Sequence, residues 1–239
     1  MKGLWTVVNE QQSGGAVVLL SGGMDSTTLL HHVTKTLGRA PVHAVSFHYG
    51  QRHARELECA AWQATAAGVA EHRVVDMSFM AELVREGTSL VEGGSTVPDL
   101  DDVPEHALSQ PPTYVPNRNM MLLSVAAAYA EASDLHDLFY GAQAHDEYGY
   151  WDCTPAFLES INTVLAQNRA EPMRVQAPLM GLKKSEIIEM GASLGVDFAR
   201  TWSCYRGGEQ ACGTCPTCVE RLNAWEQAGQ TDPISYAEH

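Results

Sequence analysis

The sequence predicts an α/β fold built on a parallel sheet, and three observations carry that prediction. Residues 16–20, AVVLL, form a short apolar run rich in β-branched side chains that stops at Ser21-Gly22-Gly23. The following segment, STTLLHHVTKTLG, spaces its apolar residues as a helix does and ends on Gly38. Strand-like and helix-like stretches then alternate along the chain, as they do where crossover helices join parallel strands.

Each element follows in order. VHAVSFHYG reads as a second strand, RHARELECAAWQATAAG as a helix closed by Gly68, and HRVVDM as a third strand. Between Arg85 and Pro112 the periodicity fails, and Gly, Pro and acidic residues dominate. A long loop is expected there, either a solvated insertion or a lid over a site. TYVPNRNMMLLSVAAAYAEASD reads as a turn, a cap at Asn117 or Asn119, and a buried helix. The strand DLFYGAQA, the helix TPAFLESINTVLAQN, the extended segment RVQAPLMG and the helix KKSEIIEMGASLG complete the pattern. The expected organisation is an α/β domain over residues 1–200, with the loop at about 85–112, and a small C-terminal segment over residues 201–239.

At 239 residues and 45% hydrophobic content, the chain can bury the core an enzyme needs. Its 15 basic and 29 acidic residues give a net charge of −14, which repels phosphate backbones, so no direct nucleic-acid partner is expected. No apolar run approaches the roughly 18 residues that span a bilayer, so no membrane role is expected. The start, MKGLWTVVNEQQSGG, lacks the basic and then apolar pattern of a signal peptide, making the cytoplasm the expected compartment. Under reducing conditions the close spacing of Cys204, Cys212, Cys215 and Cys218 points to metal ligands before disulfides.

The stretch VVLLSGGMDSTTLL carries the most chemistry. A strand that turns through glycines into a helix directs backbone N–H groups and the positive end of the helix dipole at one place, which suits a phosphate. Ser21 and Ser26 can add hydroxyl donors, and Gly22 and Gly23 permit close backbone approach. Asp25 would repel phosphate unless it caps the helix or lies near a bridging Mg²⁺. The loop lacks the G-K-[ST] ending and the G-x-G-x-x-G pattern of other phosphate binders, so neither γ-phosphate transfer nor hydride transfer is supported. Alone, SGG would read as an ordinary turn with Asp25 or Ser26 as an N-cap.

SGGxDS after a first strand resembles the PP-loop of the ATP pyrophosphatases, whose fold is adenine nucleotide alpha-hydrolase-like. With SFHYGQRHARELE, TYVPNRN, APLMGLKKSEII and TWSCYRGGEQACGTCPTC, the chain resembles the QueC family of 7-cyano-7-deazaguanine synthases from about Ala16 to Trp225. The resemblance implies an ATP-dependent ligase that joins 7-carboxy-7-deazaguanine and ammonia into the nitrile, releasing AMP and pyrophosphate. It implies that Ser21, Gly22, Gly23, Met24, Asp25, Ser26 and Thr27 hold ATP with Mg²⁺, and that Lys184 and Arg118, with Asp25, serve catalysis. It further implies that Asp146, Tyr150 and Asp152 meet the substrate. The four clustered cysteines match a closed, structural Zn²⁺ site, and Cys59 reads as a core residue. Cys153 matches a family cysteine but has no base near it in sequence.

One stretch departs from the family. GAQAHDEYGYWDCTPAF, residues 141–157, keeps Asp146, Gly149, Tyr150, Asp152 and Cys153 but differs at Gln143, Glu147, Tyr148, Trp151 and Thr154. His48 stands where the family usually has aspartate. The altered 141–157 stretch keeps a second reading open, an amide-forming deazaguanine ligase using another amine; a third, an idle zinc-knuckle module that binds RNA or protein, has the negative charge and the intact SGGMDS against it. No glutaminase segment is seen, so ammonia would be free or delivered by a partner. A homodimer is compatible with the sequence.

Overall fold

The computed structural model describes residues 14–52, 55–107, 110–143, 150–168 and 171–237. Five strands, β1 (Ala16–Leu19), β2 (Val42–His48), β3 (Glu71–Asp76), β4 (Asp137–Phe139) and β5 (Arg174–Gln176), form one sheet. Their order is β3-β2-β1-β4-β5 and every pairing is parallel, as the sequence predicts.

Burial on both faces explains why β1 is apolar throughout. Val17 enters one apolar cluster with Val45, Leu138 and Val175, while Ala16 and Val18 enter another with Ala44 and Phe139. The first face is covered by helices α4 (Arg118–Ala132) and α5 (Pro155–Leu165), through Leu123, Ala126 and Phe157. The second is covered by α1 (Met24–His31), α2 (Arg55–Ala67) and α6 (Lys184–Ser193), through Leu29, Ala60 and Ile187. A short helix α3 (Phe79–Val84) and a final helix α7 (Pro216–Gln227) lie outside this alternation.

Several elements differ in detail from the sequence reading. The first helix reaches Leu37 only by continuing past His31 as a π-helical turn over His32–Thr36. Asn117 does occupy the cap position of α4, but in the left-handed conformation and without a side-chain cap bond. β4 and β5 have three residues each, because the chain leaves the ladder while Tyr140, Ala142, Leu179 and Met180 stay buried.

The loop after α3 is packed rather than solvated. It contains short 3₁₀ turns at Arg85–Gly87, Leu100–Asp102 and Glu105–Ala107, and it buries Ser89, Leu90, Val91 and Val97. Arg206 donates to the Val97 carbonyl and to Asp99, and Leu100 N–H donates to the Thr214 carbonyl. The C-terminal segment therefore holds this loop down. Cys204, Cys215 and Cys218 share one apolar cluster with the sheet.

β1 pairs with β2 on one side and β4 on the other, so successive crossovers run in opposite directions around it. In a parallel sheet such a switch point opens a crevice beyond the carboxyl ends of the strands.

Candidate active site and metal centre

The crevice is present and the SGG loop lines it. A cavity of about 270 Å³ is walled by Ser21, Gly23, Met24, Asp25 and Ser26 after β1, and by Tyr140, Gly141 and Ala142 after β4. Gly22 is required at the turn: its φ is +87°, and a Cβ there would stand 2.1 Å from the Glu56 carbonyl oxygen. The loop is braced internally. Ser21 N–H donates to Ser26 Oγ at 3.1 Å, Gly23 N–H donates to Ser21 Oγ at 3.2 Å, and the two hydroxyls lie 2.9 Å apart. Helix α1 begins at Met24 with an extended Gly23 as its cap and no side chain bonded there, so Asp25 and Ser26 do not serve as N-caps. Its first N–H groups have no intrahelical acceptors.

Not every residue of Ser21–Thr27 faces the cavity in the same way. Thr27 is fully buried with its hydroxyl unpaired among the described residues, and it is not part of the cavity wall. Met24 lines the wall but also packs with Ile188, Val196 and Trp225.

Three ionisable groups gather at the loop. Lys184, the first residue of α6, puts Nζ 3.7 Å from Asp25 Oδ2 and 2.5 Å from Glu220 Oε2. Burial pushes the Asp25 carboxyl upward, and the Lys184 ammonium pulls against it. The other oxygen of Asp25, Oδ1, is buried without a hydrogen-bond partner among the described residues. A buried acceptor of this kind suits a bound cation.

Arg118 opens α4 at the far wall, where its guanidinium lies 5.8 Å from the Tyr49 ring and donates to Tyr49 OH at 3.4 Å. Glu56 also lines the cavity, and burial raises its carboxyl to about 8 although Arg118 opposes the shift. Sequence reading did not single out Glu56 or Glu220. Each lies in an ordinary helical run, and only the tertiary approach of α2 and α7 to the loop brings them in.

A second, smaller chamber of about 150 Å³ adjoins the first and shares Asp25, Arg118, Gly141 and Tyr205 with it. Thr113, Tyr114, Val115, Gln143, Tyr150, Asp152 and Cys153 complete its wall. The Tyr150 and Tyr114 rings lie nearly parallel, 6.1 Å apart, and Tyr150 OH is 3.3 Å from Thr113 Oγ1. Asp152 is buried and accepts from Asn119 N–H at 3.4 Å; burial raises its carboxyl while Arg118 opposes. Asp146, Glu147 and Tyr148 lie outside the described residues.

The departures from the family that can be seen have structural roles. Trp151 donates Nε1–H to Tyr114 OH and packs edge-on against Phe157, and Thr154 caps α5 by accepting from Phe157 N–H. Gln143 donates to the Leu182 carbonyl. His48 stands 3.5 Å from Asp76 and is not in the wall of either chamber.

The four tail cysteines converge as their spacing predicts, with all four Sγ atoms within 4.8 Å of one another, so they could hold a metal ion. Cys212 N–H donates to Cys204 Sγ and Cys215 N–H to Cys212 Sγ, bonds that favour thiolates. Hydrogen bonds from Cys215 and Cys218 hold the Cys204 thiol far below its ordinary range. The same bonds push the other two up, Cys215 to about 12. Four thiolates require a positive charge at their centre.

The pattern for "Queuosine biosynthesis protein QueC" matches residues 15–229. The 7-cyano-7-deazaguanine synthase of Marinobacter nauticus is 43% identical over 222 residues, covering 90% of this chain and 94% of that protein. That of Caldicellulosiruptor bescii is 44% identical over 219 residues, covering 90% and 94%. Among solved structures, the NMN synthetase from Francisella tularensis superposes with a TM-score of 0.47 at 15% identity, covering 94% of this chain and 89% of that one. With the family pattern spanning nearly all of the described residues, the chain belongs to the QueC family.

Proposed function

We propose that this protein is a cytoplasmic, ATP-consuming ligase that converts 7-carboxy-7-deazaguanine and ammonia to 7-cyano-7-deazaguanine, releasing AMP and pyrophosphate. The observation that carries this reading is the pair of chambers meeting at Arg118 and Asp25, one built on a phosphate-type loop and the other on aromatic and carboxylate groups. The names of the relatives support the same product.

In this reading the larger chamber takes ATP, with its phosphates on the Ser21–Ser26 loop and the N-terminus of α1. The smaller chamber takes the heterocycle, whose guanine-like N–H edge donates to Asp152 and whose ring lies against Tyr150. Asp146 is assigned to the same edge by family resemblance alone. The substrate carboxylate attacks the α-phosphorus, the bond to the β-phosphate oxygen breaks, and pyrophosphate leaves. Arg118 and Lys184 hold fixed positive charge beside the developing negative charge, the arrangement most effective in a partly dry site. Ammonia then attacks the acyl carbon, AMP departs, and a proton is lost to give the amide. The amide oxygen attacks the α-phosphorus of a second ATP and expels a second pyrophosphate, and loss of AMP and the two N–H protons then gives the nitrile.

Asp25, whose Oδ1 has no partner among the described residues, is the residue that would hold Mg²⁺, which would supply further positive charge to the departing pyrophosphate. Cys204, Cys212, Cys215 and Cys218 would hold Zn²⁺ with no open position, making the site structural. Zinc bonds of about 2.3 Å place tetrahedral thiolates roughly 3.8 Å apart, and Cys212 and Cys218 stand at 3.9 Å. A four-iron cluster would spread its thiolates farther.

A time course with 7-carboxy-7-deazaguanine, ATP, Mg²⁺ and ammonium, followed by mass spectrometry, tests the proposal. Amide should appear first and nitrile should accumulate with two AMP per molecule. Amide that persists with one AMP each, despite excess ATP and ammonium, would reject nitrile formation and favour an amide-forming ligase. Absence of any ATP consumption would favour a binding module.

A further inference from the structure

Lys184 is held from the metal tail. Its ammonium meets Glu220 at 2.5 Å, while Asp25 of the phosphate loop stands farther off at 3.7 Å. We infer that Glu220 is a positioning residue: it holds Lys184 over the nucleotide loop and makes that placement depend on the four-cysteine knuckle. This inference rests on the reading of the larger chamber as the ATP phosphate site.

Lys184 needs such a holder. It is the first residue of α6, where the helix dipole disfavours a cation, and its long side chain has many rotamers to lose. Glu220 supplies the opposing charge, and both side chains are largely shielded, at 16% and 19% exposure, within the wall of the cavity. The pair is therefore unlike the exposed ion pairs that contribute almost nothing.

The place of Glu220 is itself determined by the knuckle. It lies on the first turns of α7, two residues beyond Cys218, and α7 has Cys215 as its cap residue. Cys218 and Val219 N–H groups both donate to the Cys215 carbonyl. Farther along, Ala224 and Trp225 pack against Met24 and Ile188, so α7 is clamped to both α1 and α6. Arg221, the neighbouring cation, is occupied by Asp232 and does not compete for Glu220.

A carboxylate beside bound phosphate repels it, so Glu220 should not improve ATP binding. Its benefit lies in presenting Lys184 already oriented when pyrophosphate departs, which appears in kcat. Glu220→Gln should therefore lower kcat for AMP formation about tenfold, the factor carried by one charge-assisted hydrogen bond, without raising KM for ATP. Glu220→Asp should recover part of the loss. On a Lys184→Ala background, Glu220→Gln should cost nothing further, since the two residues act as a unit. Without turnover, reductive methylation of Lys184 read by mass spectrometry should be severalfold faster in Glu220→Gln. Metal content, measured for each variant, should match the parent, and each variant should remain folded at the assay temperature although its melting temperature falls.

Unchanged kcat in Glu220→Gln, an equal loss on the Lys184→Ala background, or unaltered methylation would each overturn the positioning role. Lys184→Ala turning over at the parent rate would overturn the underlying phosphate reading instead, a result that the methylation rate distinguishes.

Discussion

Trp202 donates its backbone N–H to the carbonyl of Gly22 across 3.0 Å. The residue that must adopt a positive φ at the glycine loop is thus fastened to the segment that enters the cysteine knuckle two residues later. Trp202 is almost fully buried, and the Arg55 guanidinium lies 4.2 Å from its ring.

From this link, metal loss should reach the nucleotide site. Purified protein should contain about one Zn²⁺ per chain, the stoichiometry of a four-cysteine structural site. Cys215→Ser should lower metal content and melting temperature together, and should slow ATP consumption although Cys215 does not line the larger chamber. Elemental analysis, calorimetry and an AMP assay check this; metal-free protein that stays folded and fully active would refute it.

The loop itself predicts the products. ATP should yield AMP and pyrophosphate, and ADP release would contradict α-phosphoryl attack. Lys184→Ala and Ser26→Ala should each slow turnover by roughly 10², as loss of a preorganised charge or donor in a transition state does. Pyrophosphate release measures it.

Gly22→Ala probes the turn. An alanine must adopt a left-handed conformation costing roughly 1–2 kcal/mol, and its Cβ meets backbone, not a flexible side chain. Stability should fall by at least that amount in denaturant titration, and ATP-dependent turnover should be lost.

Glu56 gives a pH dependence. Its folded pKa is raised from the ordinary 4.5 to about 8, so between those values the folded state binds more protons than the unfolded one. Stability contributed by this group is therefore lost as pH rises from about 4.5 to 8 and is flat beyond. Glu56→Gln should remove that decline: ligand-free, metal-loaded variant and parent should melt alike near pH 4.5, with the variant increasingly favoured up to about pH 8. Parallel melting curves across this range would place the Glu56 carboxyl in the ordinary range.

Arg221 and Asp232 are 1% and 2% exposed and form a bidentate pair at 2.6 and 2.9 Å. Truncating one member strands a buried charge, so Arg221→Ala should destabilise the protein by about 3–5 kcal/mol. Denaturant titration reads this directly.

Much of the fold is legible in the sequence. AVVLL followed by SGG and STTLL declares a buried strand, a tight turn and a helix because the signal is local: β-branching, glycine and helix entry lie within a dozen residues. The knuckle is equally local in its spacing. The lengths of β4 and β5 were not legible, because Tyr140, Ala142 and Leu179 are apolar for burial and not for hydrogen bonding in a ladder. Nor was the packed state of residues 88–97, whose buried Ser89 and Leu90 sit among glycines and acids that read equally as a solvated insertion or a lid. Glu56 and Glu220 escaped for a different reason: a carboxylate in a helical run acquires meaning only from what another helix brings beside it.

The common wall between the two chambers has a consequence for the order of events in the proposed reaction. A heterocycle seated beside Tyr150 and Asp152 keeps its reacting carbon near Arg118 and Asp25, whichever nucleotide occupies the larger chamber. The spent nucleotide can then be exchanged for a fresh one without surrendering the half-finished product. In that reaction, a long stay in the small chamber across two short stays in the large one would make a single protein processive.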